Sequence, residues 1–294
     1  MSINLPSHFV QQYATNVQLL LQQKGSRLSG AVTMGTYYGE QASPVDQVGA
    51  IEMQTVAGRF APIGRVDAAV DRRWVQPTDY DLNQLVDSYD KLRLLTDPQS
   101  VYVQNAVMAA GRKQDALIIA AAIGTAKTGK TGTTSTVLPA AQKVAVNFGA
   151  AANTGMTVAK LREAKRLLMA ANVDLESDQI YAAIGAQQHD NLLAEAQVIS
   201  MDFNDKPVLV EGRITRFLGI NLIQTELAVA NLVSSQAQIA VWAKSGMHLG
   251  MWNGIETDIS QRKDLSSLPW QAYVKMSAGA TRLEEAKIVQ ITCA

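Results

Sequence analysis

Eight consecutive residues have the types and spacing of a phosphate-binding loop. They run from Gly124 to Thr131 and match the pattern G-x-x-x-x-G-K-[ST] at every fixed position. In such a loop the backbone N–H groups wrap the phosphates of a nucleotide, and the lysine, here Lys130, reaches the outer phosphates. A P-loop nucleotide-binding enzyme is therefore one candidate function.

The elements around these residues oppose that function, because a phosphate loop needs a buried strand before it and a helix directly after its lysine. Upstream, Asp97 is a good N-cap, Pro98 suits the first helical position, and apolar residues recur at helical spacing as far as Ala121. Downstream, Gly132, a run of threonines and Pro139 disfavour a helix. The sequence predicts a helix over 98–124 and a loop over 125–136, in which Lys127 and Lys130 are solvated charges.

No other residues have the spacing of a catalytic, cofactor or metal site. The histidines are far apart in sequence, and the one cysteine lies next to the last residue: His8, His189, His248 and Cys293. His189 beside Asp190 fits a helix N-terminus. Glu284 and Glu285 fit a charged turn before the last strand. We predict no catalytic residue, no bound cofactor and no metal, and hence a protein that is not an enzyme.

Tryptophans and arginines have structural explanations too. The four tryptophans are expected to anchor strand cores or interfaces instead of forming a ligand cage: Trp74, Trp242, Trp252 and Trp270. Arg112 and Asp115, three residues apart on the predicted helix, could form a local ion pair. Arg213 and Arg216 flank a turn and could pair with neighbouring subunits around a ring.

Composition excludes several classes of protein. The chain has 294 residues, 47% of them hydrophobic and only 18% charged, and its net charge is zero. A shortage of charge is easier to accommodate if much of the surface meets other subunits. No run of Lys and Arg supports tight nucleic-acid binding. The N-terminus lacks an export signal, and the longest apolar run, 116–123, is far short of a membrane span. We expect a soluble intracellular product.

The first half of the chain is predicted to contain helices and an extended hairpin. Residues 8–24 fit a short amphipathic helix. From Gly30 to about Tyr80, frequent glycines separate short alternating runs, which predicts a long β-hairpin without a core of its own. Such a hairpin is stable only when it lies on something, most simply a neighbouring subunit. Residues 81–95 are expected to be a helical or irregular link. Gly111, in the middle of the long helix, suggests close packing there.

The second half is predicted to be mainly strands. A helix over 157–171 has one apolar face and places four basic residues on the other: Lys160, Arg162, Lys165 and Arg166. Another helix runs from His189 or Asp190 to Val198. Strands are predicted at 181–186, 208–210, 219–224, 238–243, 248–257, 271–280 and 287–292. The fold class is α+β.

Three segments, in this order, resemble the major capsid proteins of tailed bacteriophages. Residues 110–132, A-G-R-K-Q-D-A-L-I-I-A-A-A-I-G-T-A-K-T-G-K-T-G, resemble their long helix and following loop. Residues 211–225, E-G-R-I-T-R-F-L-G-I-N-L-I-Q-T, resemble a glycine-flanked strand turn of their axial domain. Residues 276–291 resemble their closing pair of strands. The resemblance implies the Hong Kong 97-type coat fold and spans nearly the whole chain.

The resemblance also implies a division of the chain into regions. These are an N-terminal arm at 1–29, an extended loop at 30–85, a peripheral domain at 86–175 with its spine helix at 98–124, an axial domain at 176–264, and C-terminal strands at 265–294 that return to the peripheral domain. Some relatives join subunits by a Lys–Asn isopeptide bond from the extended loop. No lysine lies between Lys24 and Lys91, so we expect a shell without that crosslink.

The implied function is structural. Many copies would assemble into pentamers and hexamers of an icosahedral shell, the virion capsid, which encloses double-stranded DNA without sequence-specific binding. A fused scaffolding domain is not expected, since only about 25 residues precede the loop, so the scaffold and the portal would be separate proteins. Assembly would occur in the cytoplasm of the host bacterium. Two alternatives stay open: the P-loop enzyme through Gly124–Thr131, and an encapsulin-type compartment, which shares the coat fold.

Overall fold

The structure is a computed structural model that describes residues 22–55, 58–59, 62, 64–86, 99–195, 212–229, 232–233 and 235–294. Several predictions fall outside these residues. They are nearly all of the helix at 8–24, including His8, the N-cap at Asp97 with Pro98, the end of the helix at Val198, and the strand at 208–210.

Three α-helices lie in the described residues, at Gln99–Ile123 (α1), Val158–Ala170 (α2) and Ala186–Leu193 (α3). The predictions for α1 and α2 are confirmed to within a few residues, and the Thr157 side chain caps α2. The prediction for α3 is wrong at both ends, because Gly185 is the N-cap, His189 lies inside the helix, and Ala194 is the C-cap. The carboxylate of Glu226 accepts a hydrogen bond from the Ala186 N–H and so stabilises this end from a distant part of the chain.

The described residues also contain fifteen strands. In chain order they are Thr33–Thr36 (β1), Ala42–Val48 (β2), Val70–Val75 (β3), Thr78–Val86 (β4), Ala126–Thr128 (β5), Thr134–Thr136 (β6), Lys143–Val144 (β7), Ile180–Ile184 (β8), Arg216–Phe217 (β9), Ile220–Gln224 (β10), Leu232–Val233 (β11), Gln236–Ala243 (β12), Met247–Gln261 (β13), Trp270–Arg282 (β14) and Ile288–Cys293 (β15). The six predicted strands that fall on described residues between 180 and 293 are confirmed, with ends shifted by a few residues.

The strands form three sheets. One has the order β1-β13-β14-β4, a second has the order β7-β15-β12-β8-β10-β9 with β11 beside β12, and a third has the order β2-β3-β5-β6. The prediction of a helical or irregular link is wrong for residues 81–86, which belong to β4 and pair with β14. Leu82, Gln84 and Val86 alternate with more exposed residues, and this period of two is the strand pattern.

The main core lies between the helices and the first two sheets. Helix α1 packs on β14 and β13, and α2 packs on β15. Trp242 on β12 is fully buried, and its indole Nε1 donates to the Ala31 carbonyl oxygen, 2.9 Å away. None of the helices described is both long and apolar enough to cross a membrane.

Lys160 contradicts the prediction that it lies on the polar face of its helix, because its side chain is 0% exposed. Its Nζ donates to the carbonyl oxygens of Thr154, Gly155 and Thr292 at 2.8, 2.8 and 2.9 Å. Burial lowers the pKa of this lysine and raises the pKa of the neighbouring Cys293 thiol to about 11. The ammonium therefore joins α2 to the last strand, a role that helical periodicity cannot reveal.

Close packing at Gly111 is confirmed. A Cβ added there would lie 2.6 Å from the Gly25 carbonyl carbon and from the Ser26 nitrogen. The Asp115 carboxylate, one helical turn further along, is fully buried and accepts hydrogen bonds from the backbone N–H groups of Arg27 and Leu28 at 2.9 and 3.1 Å. Helix α1 thus holds the chain at 25–28 against its side.

We predict that Gly111→Ala lowers the free energy of unfolding by about 1–3 kcal/mol, since overpacking outweighs the better helix propensity of alanine. Thermal unfolding of the unassembled protein measures this. Gly30→Ala is the matched control, because a Cβ at Gly30 meets nothing within 4 Å. Equal stability of the Gly111→Ala variant and the unsubstituted protein would contradict the packing.

Candidate functional site

The residues that match the phosphate-binding pattern do not form a phosphate-binding loop. Helix α1 precedes them, and the segment predicted as a loop at 125–136 is instead a β-hairpin of β5 and β6. The prediction of a loop is wrong because Gly129 and Gly132, with φ of +85° and +71°, turn the chain so that the threonines on either side pair. The Gly129 N–H donates to the Asp71 carboxylate at 3.0 Å, so a carboxylate lies where a phosphate would bind.

Lys127 and Lys130 were predicted to be solvated charges in a loop. Lys130 is exposed, in agreement with that prediction. Lys127 is half-buried, and its Nζ donates to the Ser135 hydroxyl of the opposite strand at 3.0 Å. The β5–β6 hairpin is also part of a sheet. It pairs with β3, with Arg73 opposite Thr128 and Trp74 opposite Lys127.

Trp74 locks this pairing. Its indole Nε1 donates to the Gly129 carbonyl oxygen at 2.7 Å. Gly132 packs against the ring, where a Cβ would lie 2.9 Å from Cγ of Trp74. The β5–β6 hairpin thus supports β3. The pairing of β3 with this hairpin, at residues 71–75, is called the base of the long hairpin below. Because β3 is also one arm of the long hairpin at 42–75, this contact fixes where that hairpin leaves the rest of the subunit.

A buried cluster of charges fixes the same base from the other side. Arg73 on β3 donates to both carboxylate oxygens of Glu285, with Nη1–Oε1 and Nη2–Oε2 distances of 2.9 and 2.6 Å. Arg73 Nε also bonds Gln47 on β2, and Gln47 in turn donates to the Leu283 carbonyl oxygen. Glu285 is therefore more than the charged turn that the sequence predicts, because it binds the long hairpin to the C-terminal strands.

Arg282 completes the cluster and is 0% exposed. Its Nη1 donates to the carbonyl oxygens of Ala122 and Gly124 at 3.2 and 2.7 Å, and its Nη2 donates to the Thr136 carbonyl oxygen at 2.9 Å. A guanidinium at this position satisfies carbonyl groups left free at the end of α1 and opposes the negative end of the helix dipole. Burial lowers the pKa of Arg282, and Glu285, 3.4 Å from its Nε, opposes that shift.

Beyond this base, the described residues of the long hairpin are mostly exposed. Strands β2 and β3 are antiparallel as far as Val48 opposite Val70, and the Gly49 N–H donates to the Ala69 carbonyl oxygen. A hairpin within the predicted span is thus confirmed. The predicted bounds at Gly30 and about Tyr80 are wrong, because β1 and β4 pair with β13 and β14 in another sheet. Large apolar side chains are exposed along it: Val48, Ile51, Met53, Val66 and Val70. A folded monomer rarely leaves so many large apolar groups of one segment in water, which points to an interaction surface.

The two histidines that the structure describes both have hydrogen-bond partners within the chain. His248 is buried between the Thr33 hydroxyl, 2.9 Å from Nδ1, and the Tyr37 hydroxyl, 2.8 Å from Nε2, and burial lowers its pKa. His189 Nε2 accepts from the Ile214 N–H at 3.1 Å. All four tryptophans lie on strands: Trp74, Trp242, Trp252 and Trp270. Within the described residues, no three His, Cys, Asp or Glu side chains are grouped to hold a metal ion.

Two arginine predictions have different outcomes. Arg112 donates to the side chain of Gln22 and to the Gln23 carbonyl oxygen, while Asp115 binds residues 23–28. The predicted ion pair between Arg112 and Asp115 is therefore wrong. Both side chains instead bind residues distant in sequence, which local spacing cannot show. Arg213 and Arg216 are exposed in the single subunit, so their pairing around a ring stays a prediction.

Comparison with known proteins places the chain among coat proteins. A family described as phage capsid protein matches residues 5–294. No curated protein sequence matches the chain.

Solved structures have the same fold at low sequence identity. The capsid protein of cyanophage P-SCSP1u is 17% identical, with a TM-score of 0.71, over 98% of this chain and 94% of that chain. The capsid protein of cyanophage Pam1 is 11% identical, with a TM-score of 0.72, over 97% and 96%. A chain from the capsid of a native GTA particle, computed with C5 symmetry, is 12% identical, with a TM-score of 0.68, over 100% and 99%.

For the loop at Gly124–Thr131 we predict no nucleotide binding, since the Gly129 N–H is taken by Asp71 and no helix follows Thr131. Titration of ATP and GTP with Mg²⁺ against purified protein, followed by calorimetry, tests this. Lys130→Ala is the control. Saturable binding that Lys130→Ala abolishes would restore the P-loop enzyme as a candidate.

For the charge cluster we predict that Glu285→Gln lowers the free energy of unfolding by about 3 kcal/mol, because two buried arginines lose their carboxylate. Glu284→Gln is the matched control. Its partner Lys287 and Glu284 itself are both partly exposed, so the change should be within about 0.5 kcal/mol. Thermal unfolding of both variants checks the prediction, and equal effects at the two positions would contradict it.

Proposed function

Since this chain belongs to the phage capsid protein family, we propose that it builds its icosahedral shell by laying the hairpin at 42–75 on a neighbouring copy. It is a structural coat protein, with the Hong Kong 97-like fold of tailed-phage major capsid proteins, and its place is the virion capsid. The assembly proposed here joins copies into pentamers and hexamers by repeated contacts without covalent bonds.

The observation that carries the proposal is the hairpin with exposed apolar side chains on a rigid base. A two-stranded hairpin is at best marginally stable in water, so its far part needs a surface to lie on. The base is held by Trp74, Arg73 and Glu285, which direct the hairpin away from its own subunit core. With a fixed base and an apolar far end, the hairpin of one copy can contact a different surface of the next copy, which is a head-to-tail contact. Such contacts close into a ring when the rotation between successive copies divides a full turn evenly.

A low content of charged residues supports the same proposal. Only 18% of the residues are charged, which fits a surface that neighbouring subunits cover extensively.

We further propose the division of the chain given by the resemblance: arm at 1–29, extended loop at 30–85, peripheral domain at 86–175, axial domain at 176–264 and returning strands at 265–294. The paired strands β2 at 42–48 and β3 at 70–75 support the extended character of this region, whereas β1 and β4, which flank it, belong to the sheet with β13 and β14. Because residues 71–75 are held at the base, the projecting part begins near Val48 and ends near Val70.

The proposed partners follow from the coat function. A separate scaffolding protein and a portal would direct closure of the shell in the cytoplasm of the host bacterium. Double-stranded DNA would be held inside the closed shell without tight binding to the protein. A chain with zero net charge gives no basis for strong, sequence-independent electrostatic binding of DNA. Neighbouring axial domains would meet at the centres of the rings.

We predict that replacing residues 50–68 by a two-residue Asn-Gly turn leaves the subunit folded and abolishes shell formation. Those of the removed residues that the structure describes contribute nothing to the core, so far-UV circular dichroism and thermal unfolding should stay close to those of the full chain. Electron microscopy and sedimentation of the expressed proteins measure assembly.

Lys130→Ala, a change at an exposed position outside the long hairpin at 42–75, serves as the control and should assemble like the full chain. Normal shells from the shortened chain would contradict the proposed function. The same conclusion would follow if the full chain gave only monomers while its scaffolding protein was present.

A further inference from the structure

One edge of the sheet β1-β13-β14-β4 is free among the described residues. Strand β4 is the last strand of this sheet, and its nine residues pair with β14 in one continuous register from Thr78 to Val86. A free edge presents unpaired backbone N–H and C=O groups. Of the features by which proteins protect such edges, β4 has two charged side chains, Asp79 and Asp81, but no lysine, proline or bulge. The edge is therefore suited to accept another strand.

An apolar groove runs beside this edge, between β4 and helix α1. Its cavity is about 280 Å³. Six of its ten lining residues are small or apolar (Leu82, Ala106, Ala109, Ala110, Val274 and Met276), and the other four are Tyr80, Asp81, Lys113 and Lys275. At its rim, Nζ of Lys113 lies 4.5 Å from the centre of the Tyr80 ring. A strand added to β4 would place alternate side chains over this groove, since side chains alternate between the faces of a sheet.

The chain carries a segment that matches both features. Residues 50–55 follow the β2–β3 pairing, belong to no strand in the described structure, and are all exposed. Ile51 and Met53 alternate with Glu52 and Gln54, so an extended conformation puts the apolar pair on one face. Met53 is 101% exposed and Ile51 is 62% exposed. Methionine adapts to irregular apolar cavities, which suits a groove lined by alanines.

From these observations we propose that residues 50–55 of one copy add a strand to the free edge of β4 in a second copy, with Ile51 and Met53 in the groove beside helix α1. This rests on the proposed coat function and names the partner segment for its hairpin. The added backbone hydrogen bonds give affinity, and the groove gives specificity for the two apolar side chains.

Charge fixes which face of the added strand points outward. On the outer face of β4 lie the exposed side chains of Asp79, Asp81 and Asn83, and Glu52 would share that face. Like charges directly opposite each other destabilise a strand pair, so the register that places Glu52 near Asn83 is favoured over one that places it opposite an aspartate. Only the inward positions, 51 and 53, contact the groove.

Cysteine pairs test this arrangement by distinguishing two adjacent residues. Met53→Cys combined with Ala109→Cys should form disulfides between copies in assembled particles, giving a ladder on non-reducing gels that ends at five and six copies. Glu52→Cys combined with Ala109→Cys should give about tenfold less disulfide between copies. The Cβ of residue 52 points to the opposite face of the added strand, and a disulfide needs closely approaching Cβ atoms. Cys293 is buried and does not compete.

A groove-filling substitution gives a second measurement. Ala109→Phe should reduce the yield of particles strongly, while the thermal unfolding temperature of the subunit stays close to that of the unsubstituted protein. Gln104→Phe, at an exposed position of the same helix that does not line the groove, should assemble normally. Normal assembly of Ala109→Phe would overturn the proposal.

The outcomes separate the two proposals. Particles in which neither cysteine pair crosslinks, or in which residues 52 and 53 crosslink equally, would overturn the docking while leaving the coat function intact. A disulfide confined to single chains would show that the loop occupies its own groove, and would overturn the second copy as occupant. Absence of particles from the unsubstituted chain, with its scaffolding protein, would refute the coat function itself.

Discussion

The guanidinium of Arg282 lies where four parts of the chain meet. It binds carbonyl oxygens at the end of helix α1 and in the hairpin that follows, and it shares Glu285 with Arg73 at the base of the long hairpin. Because the group is fully buried, each of its donors needs an acceptor, and the four parts are constrained to one arrangement. The direction in which the hairpin at 42–75 leaves the subunit depends on this arrangement.

The same constraint explains how a marginal element can take part in assembly. Beyond Val48 and Val70 the hairpin has neither a sheet partner in the described residues nor a core beneath it, so its stability must come from other copies. A hairpin that was loose at both ends would lose much conformational entropy on binding. With its base fixed by Trp74 and the charge cluster, only the far part is ordered by the contact, and the direction of approach is already set.

Sequence patterns predict the elements of this protein better than their junctions. The spacing of apolar residues locates α1, α2 and six strands, and Gly111 predicts close packing because a glycine inside a helix is costly. The hairpin β5–β6 was predicted as a loop, since three-residue strands give too short an alternation to recognise. Lys160, Asp115 and Glu285 have partners distant in sequence, and no local spacing indicates that they are buried. The start of α3 depends on Glu226, which lies forty residues away.

Hydrogen–deuterium exchange, compared between unassembled subunits and purified particles, tests the central claim most directly. Amides at 71–75, at the fixed base, should be protected in both states. Those at 50–55 should exchange within seconds in the subunit and become protected in the particle, because only there do they gain hydrogen-bond partners. Strong protection of 50–55 in the isolated subunit, or rapid exchange of these amides in the particle, would contradict an extended hairpin stabilised by its neighbours.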